Sequence, residues 1–153
     1  MSQASAYTII IFLAFCGFLI ANYIRHHKKN VQEALVCPLK ANCDTVIHSD
    51  YSKFLGIPVE ILGMVYYGLL ALSYALITVF PVLGVPLVVS GLLSATFCAF
   101  MFSIYLTFLQ AFAIKNWCTW CLISAAICAT IFAVDAYTSP LFSSFFASIY
   151  HSL

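Results

Sequence analysis

The chain has 153 residues, 64% of them apolar and 7% charged, with a formal net charge of +1. Soluble domains are roughly 45–50% apolar and about 25% charged, so a soluble fold of this size has too few charges to cover itself. Such hydrophobicity also excludes a disordered chain, and the near-neutral balance excludes a basic nucleic-acid binder. This leaves an integral, multi-pass membrane protein forming one domain over residues 1–153.

The placement of charge sets the elements. Residues 1–24 carry none, which predicts a first membrane helix over 6–24. The run reads as a span and not as a signal peptide: its apolar part is too long, no basic segment precedes it and no A-x-A-like site follows. Nine of the eleven charged residues then fall between Arg25 and Glu60, eight of them inside a polar loop over 25–59. The basic run Arg25-His26-His27-Lys28-Lys29 reads as a solvated helix exit. Within the loop, Tyr51 to Leu55 suggests a short interfacial piece, with Phe54 and Leu55 dipping into lipid.

The stretch from Ile61 to Ile114 is uncharged and long enough for two spans. The turn formers in Phe80-Pro81-Val82-Leu83-Gly84-Val85-Pro86 divide it, which predicts helices over 60–79 and 87–112. A fourth helix follows over 118–138. Asp135, near its far end, reads as an interfacially solvated acid, and Trp117 and Trp120 as interfacial aromatics. The tail over 141–150 is too short to cross again and suits an interfacial helix. Helices are the natural choice for such runs, because backbone amides in lipid must be satisfied within the segment. The expected fold class is therefore an all-α membrane protein, a four-transmembrane-helix bundle surrounded by membrane lipid.

Four spans place the 25–59 loop and the Lys115-Asn116-Trp117 turn on one side. Four of the seven cysteines gather there: Cys37 and Cys43 in the loop, Cys118 and Cys121 at the start of the fourth helix. Cys16, Cys98 and Cys128 sit in apolar helices without a partner at useful spacing and read as small buried hydrophobes. A C-x-x-C at a helix start favours thiolate at its first sulfur, because unpaired N–H groups and the helix dipole converge there. The second cysteine lies one turn later and about 5 Å deeper along the axis, where it can face a lipid-soluble electron acceptor. The loop pair, flanked by turn formers, has the reach to exchange with an aqueous thiol. Together the pairs read as a dithiol relay. Two static disulfides, or a four-cysteine zinc site with imperfect spacing, would use the same residues; no metal site is favoured.

The segment CPLKANCDTVIHSDYSKFLGIPVEILGMVYY (37–67), with CTWC opening a later helix, resembles the vitamin K epoxide reductase family, especially its bacterial and archaeal members. The likeness rests on Cys37 and Cys43, on Ser49 six residues further, on Gly56-Ile57-Pro58, on Gly63 with Tyr67, and on Cys118 and Cys121. It implies a four-helix bundle around a quinone of the ubiquinone or menaquinone (vitamin K) type. Cys37 would meet a thioredoxin-fold dithiol partner, Cys43 would pass electrons to Cys118, and Cys121 would reduce the quinone. Ser49 would be the family's loop serine. The quinone site would fall at Val59, Leu62, Tyr66, Cys121 and Ala125, with Tyr66 at an aromatic flanking position. The implied activity is that of a thiol oxidoreductase with a quinone acceptor, supporting disulfide formation.

Val59 and Ala125 depart from the vertebrate enzymes, which carry an amide and a tyrosine at those places. That favours plain quinone reduction over epoxide chemistry, which also asks for an acid that the sequence does not offer beyond its thiols. Disulfide chemistry would place the loop extracytoplasmically, in a prokaryotic cytoplasmic membrane. All six Lys and Arg residues lie on that same face, and the positive-inside rule points the other way.

Overall fold

A computed structural model gives the fold over residues 3–29, 37 and 42–139. The tail over 141–150, read from sequence as interfacial, lies outside the described residues, as do loop positions 30–36 and 38–41. In chain order the elements are α1 (Gln3–Lys29), the short α2 (Cys43–Ile47), a hairpin of β1 (Lys53–Phe54) and β2 (Ile57–Pro58), α3 (Val59–Val79), α4 (Pro86–Phe108) and α5 (Thr119–Thr138). Four helices are long and apolar enough to cross a bilayer: α1, α3, α5, and α4 with its continuation to Ile114. The fold is the all-α four-helix bundle.

The helix ends differ from the sequence reading in two informative places. First, α1 continues through His26, His27, Lys28 and Lys29, because cations in a last turn complement the carbonyl end of the helix dipole. Second, α4 ends in a π-helical turn, Leu109–Ile114, which stops at Lys115 in the left-handed region (φ 54°). Pro86 occupies the first position of α4, where its missing N–H costs nothing.

Packing follows the small residues of α1. Ala6, Ile10, Ala14, Gly17, Ala21 and Ile24 recur at steps of three or four and form its buried stripe. Small side chains let membrane helices approach closely. The opposing stripe of α3 carries Tyr67, Leu70, Tyr74 and Ile77. At Gly17 the fit is tight: a β-carbon there would lie 2.6–2.8 Å from the Tyr67 ring. α1 also packs on α5, and α5 on α4. α4 buries little, Thr96 being its one buried residue.

Asp135 is not interfacial. It is 2% exposed, accepts a 2.6 Å hydrogen bond from the Tyr74 hydroxyl of α3, and accepts one of 3.0 Å from Thr96 of α4. A carboxyl so placed ties three helices together in the half of the bundle remote from the cysteine pairs. The short piece expected around Tyr51 to Leu55 leads into the hairpin. Leu55 (φ 53°) and Gly56 (φ 83°) make its two-residue turn, the backbone twist that tight hairpins favour. Leu55 projects outward at 88% exposure and Phe54 is 42% exposed, although one edge of the Phe54 ring meets Phe102 of α4 at 5.0 Å. Of the three remaining cysteines, Cys128 is buried, Cys16 is half-buried and Cys98 is exposed, so Cys98 is not the core residue its apolar setting suggested.

Candidate functional site: two cysteine pairs beside an apolar cavity

The cysteine end is assembled by three segments. Cys43 opens α2, and a disulfide joins it to Cys37 with a Cα separation of 6.0 Å, an ordinary span for that bond. Asn42 donates to the side chain of Asn116 at 2.9 Å, so the loop pair is tied to the turn before α5. Cys43, Cys118, Ile24, Val46 and Ile47 form one buried cluster, with Cys37 and Cys121 packed against it. All four chemically relevant sulfurs therefore share one site. The loop pair is less wet than its polar neighbours suggested: Cys43 is 1% exposed, whereas Cys37 stays half-exposed. Burial follows from the apolar Val46 and Ile47, one turn of α2 away.

Cys118 is the residue preceding the first turn of α5, and its sulfur accepts the Cys121 N–H at 3.4 Å. Its own N–H donates to the Gln110 side-chain oxygen at 3.0 Å. Gln110 is buried within the π turn. The winding of that turn, the left-handed Lys115 and this bond together fix where α5 begins. The Cys118 thiol is shifted below its ordinary range. The principal cause is hydrogen bonding from the Cys121 thiol; burial opposes it, and the N–H groups of Cys121 and Trp120 add to it. The direction is the one a helix start predicts, although the neighbouring thiol outweighs the backbone.

Beside this cluster lies a cavity of about 690 Å³, walled mostly by apolar side chains from α1, the hairpin, α3, α4 and α5. Its size is within the range of small-molecule sites. Cys121 is on its wall, but Cys118, Cys37 and Cys43 are not. The two sulfurs of the C-x-x-C thus face different surroundings: one the cysteine cluster, the other the apolar hollow.

A sequence model of the Vitamin K epoxide reductase family matches residues 8–136, which takes in both cysteine pairs and most or all of each of the four spans. The chain belongs to the vitamin K epoxide reductase family. It is accordingly a multi-pass membrane oxidoreductase of a family that works on thiols and quinones.

Within this family member, the residues read from the sequence fall as follows. Ser49, Val59, Leu62, Tyr66, Cys121 and Ala125 all line the cavity. The Ser49 hydroxyl donates to the Val46 carbonyl at 2.7 Å, which leaves its oxygen able to act as an acceptor. Tyr67, beneath Tyr66, donates to the Ser124 carbonyl at 2.9 Å and lies 3.0 Å from the Ser124 hydroxyl. The Tyr66 hydroxyl is buried and has no oxygen or nitrogen partner among the described residues. The polar group beside it is the Cys128 thiol, a weak hydrogen-bonding group.

Three residues escaped the sequence reading. Gln110 is the only amide between Ile61 and Ile114, and that isolation was its available signal. Cys128 lines the cavity, although it reads as plain core. Glu60 is also on the wall, so an acid other than the thiols is present after all. It pairs with Lys28 of α1 at 3.1 Å, both side chains being largely buried.

Proposed function

We propose that this protein oxidises a dithiol partner of thioredoxin fold and reduces a membrane quinone, supporting disulfide formation. The observation that carries the reading is the placement of Cys121. It borders an apolar cavity on one side and the sulfur cluster on the other, so paired electrons have a short path from thiols to a lipid-soluble acceptor. The cavity suits a quinone. It is apolar and of matching size, and the buried Tyr66 hydroxyl lacks the strong acceptor that a quinone carbonyl supplies. Leaving such a hydroxyl unpaired costs about 1–3 kcal/mol. When bound, the quinone supplies a two-electron sink.

In this reading Cys37, the more exposed of the loop pair, forms the mixed disulfide with the partner. Cys43 lies in the cluster with Cys118 and hands electrons to it. Cys118, poised toward thiolate, closes the disulfide with Cys121 as the electrons leave. Ser49, Val59, Leu62, Tyr66 and Ala125 shape the acceptor site. The cysteine face is extracytoplasmic in a prokaryotic cytoplasmic membrane, an orientation opposed to the distribution of Lys and Arg. Alkaline phosphatase fused at Lys53 and after Leu153 tests it: activity only in the second fusion refutes the orientation.

The activity itself is tested by reacting purified protein with a reduced thioredoxin-fold partner and a short-chain quinone. Oxidation of the partner should match quinol formed. Cys121→Ala should abolish quinol formation, stay folded and accumulate a Cys43–Cys118 bridge or a trapped partner. Quinone reduction surviving in that variant refutes the relay. Epoxide reduction is the second reading, favoured by one finding, the carboxyl of Glu60 on the wall. Turnover of vitamin K epoxide at the quinone rate would establish it.

A further inference from the structure

The inference concerns Glu60 and rests on the quinone reading above. Glu60 is the only Asp or Glu lining the cavity among the described residues. Lys28 holds it, with Nζ 3.1 Å from one carboxylate oxygen and 3.3 Å from the other, and the same nitrogen donates to the Ser52 hydroxyl at 3.1 Å. Ser52 also lines the cavity. Cys121 lines the same cavity. Other groups nearby are Arg25 of α1, which donates to Met64 Sδ at 3.9 Å, and Cys118. A buried ion pair is poor evidence of stability, because desolvation offsets its attraction.

Proton counting gives the pair a task. Reducing a quinone to a quinol takes two electrons and two protons. With Cys118 as thiolate and the Cys121 thiol donating to it, the sulfur pair holds one proton. A second must wait within reach of the cavity, whose other polar wall groups are neutral hydroxyls, thiols and the Gln110 amide; even the unpaired Tyr66 hydroxyl offers no carboxylate-like base to hold an extra proton. We propose that Glu60 is the proton carrier of this site, taking up the proton that the Cys118–Cys121 pair gives up on forming its thiolate and returning it to the acceptor oxygen. In the loading step one S–H bond breaks and one carboxyl O–H forms. In the discharge step the Cys118 thiolate and the Cys121 thiol lose two electrons and one proton and form one S–S bond. The Glu60 carboxyl loses the other proton, two O–H bonds form on the acceptor, and Glu60 returns to its pairing with Lys28. Lys28 and Ser52 act as positioning residues that hold the carboxylate ready.

Two readouts on the full-length protein in detergent test this. In the first, a phosphine reduces the protein without quinone and the reduced-minus-oxidised infrared spectrum is recorded. The wild type and Asp135→Asn should show a protonated-carboxyl band that Glu60→Gln lacks and Glu60→Asp shifts. In the second, a short-chain quinone is the substrate. Glu60→Gln should lower kcat by about a hundredfold, as loss of a general acid–base group does, with KM within about twofold and unfolding temperature retained. Glu60→Asp, which keeps the carboxyl, should recover most of the rate. A wild-type spectrum without the band, a band that persists in Glu60→Gln, or an unchanged kcat overturns the proposal. If the wild type shows the band yet reduces no quinone, the quinone reading fails, and uptake of the proton by Glu60 stands.

Discussion

Of the chain's glycines, Gly17 is the most closely packed, and adding one methyl group there gives a quantitative test. In Gly17→Ala the new β-carbon would meet three Tyr67 ring atoms at 2.6–2.8 Å. The ring has little freedom to yield. Its hydroxyl is bonded to Ser124, and the Tyr66 ring packs against it, tilted by 56°, at a centroid distance of 5.0 Å. Overpacking of this kind costs about 1–3 kcal/mol, and loosening the Ser124 bond adds about 1 kcal/mol. Alanine's helix preference over glycine returns about 1 kcal/mol. The net expectation is a loss of about 1–3 kcal/mol. The assay is thermal unfolding in detergent, with quinone affinity measured alongside, since Tyr67 and Tyr66 both line the cavity. In a Tyr67→Leu background the clash disappears, and the same change should be neutral or stabilise by up to about 1 kcal/mol. Equal destabilisation in both backgrounds would refute the assigned contact.

Three further outcomes are expected. Gln110→Leu removes the acceptor of the buried Cys118 N–H and should cost about 1–3 kcal/mol; trapped partner should also form more slowly, as timed by gel-shift. Tyr74→Phe takes away the shorter of the two bonds to Asp135 and should cost about 1–2 kcal/mol, high for a hydrogen bond between membrane helices, because a buried acid oxygen loses its donor; an unfolding temperature equal to that of the wild type would contradict this. In the reduced protein, Cys118 should be alkylated by iodoacetamide with a pH midpoint below that of an ordinary thiol. Cys121→Ala should raise the midpoint, and Cys121→Ser, which keeps a donor, should raise it less. Because the folded value lies below the unfolded one, the thiolate's contribution to stability is complete above the ordinary thiol range and is lost as pH falls through the lowered value.

Much of the architecture was legible because charge is scarce. Gaps between charged residues located the spans, and the C-x-x-C fell at a helix start where thiolate chemistry is favoured. The rotation of each helix about its axis was far less legible. In a bilayer both the core and the outer surface are apolar, so periodicity says little about which face turns inward. Glu60 shows this: it closed a run of loop charges in the sequence, and only packing turned it toward the cavity. Asp135 was read as solvated for the same reason, since its distance from the helix end did not reveal Tyr74 and Thr96 on two other helices. Cys43 followed its polar neighbours in the sequence, yet the short α2 places it among Ile24, Val46 and Ile47. The residues lining the cavity were legible mainly through the family likeness, which carries positions that periodicity does not.

The π turn at the end of α4 acts as a ruler. Bonds reaching five residues back hold one more residue per turn than regular winding, and each residue of an α-helix rotates the chain by about 100°. Taking one residue out of Leu109–Ile114 would let the segment rewind smoothly and improve the third span as a helix. It would also swing Gln110 to another side of the axis, away from the amide it holds. The fourth helix would then start without its tether, and the spacing between sulfur and hollow would drift. A more regular helix here would make a poorer enzyme.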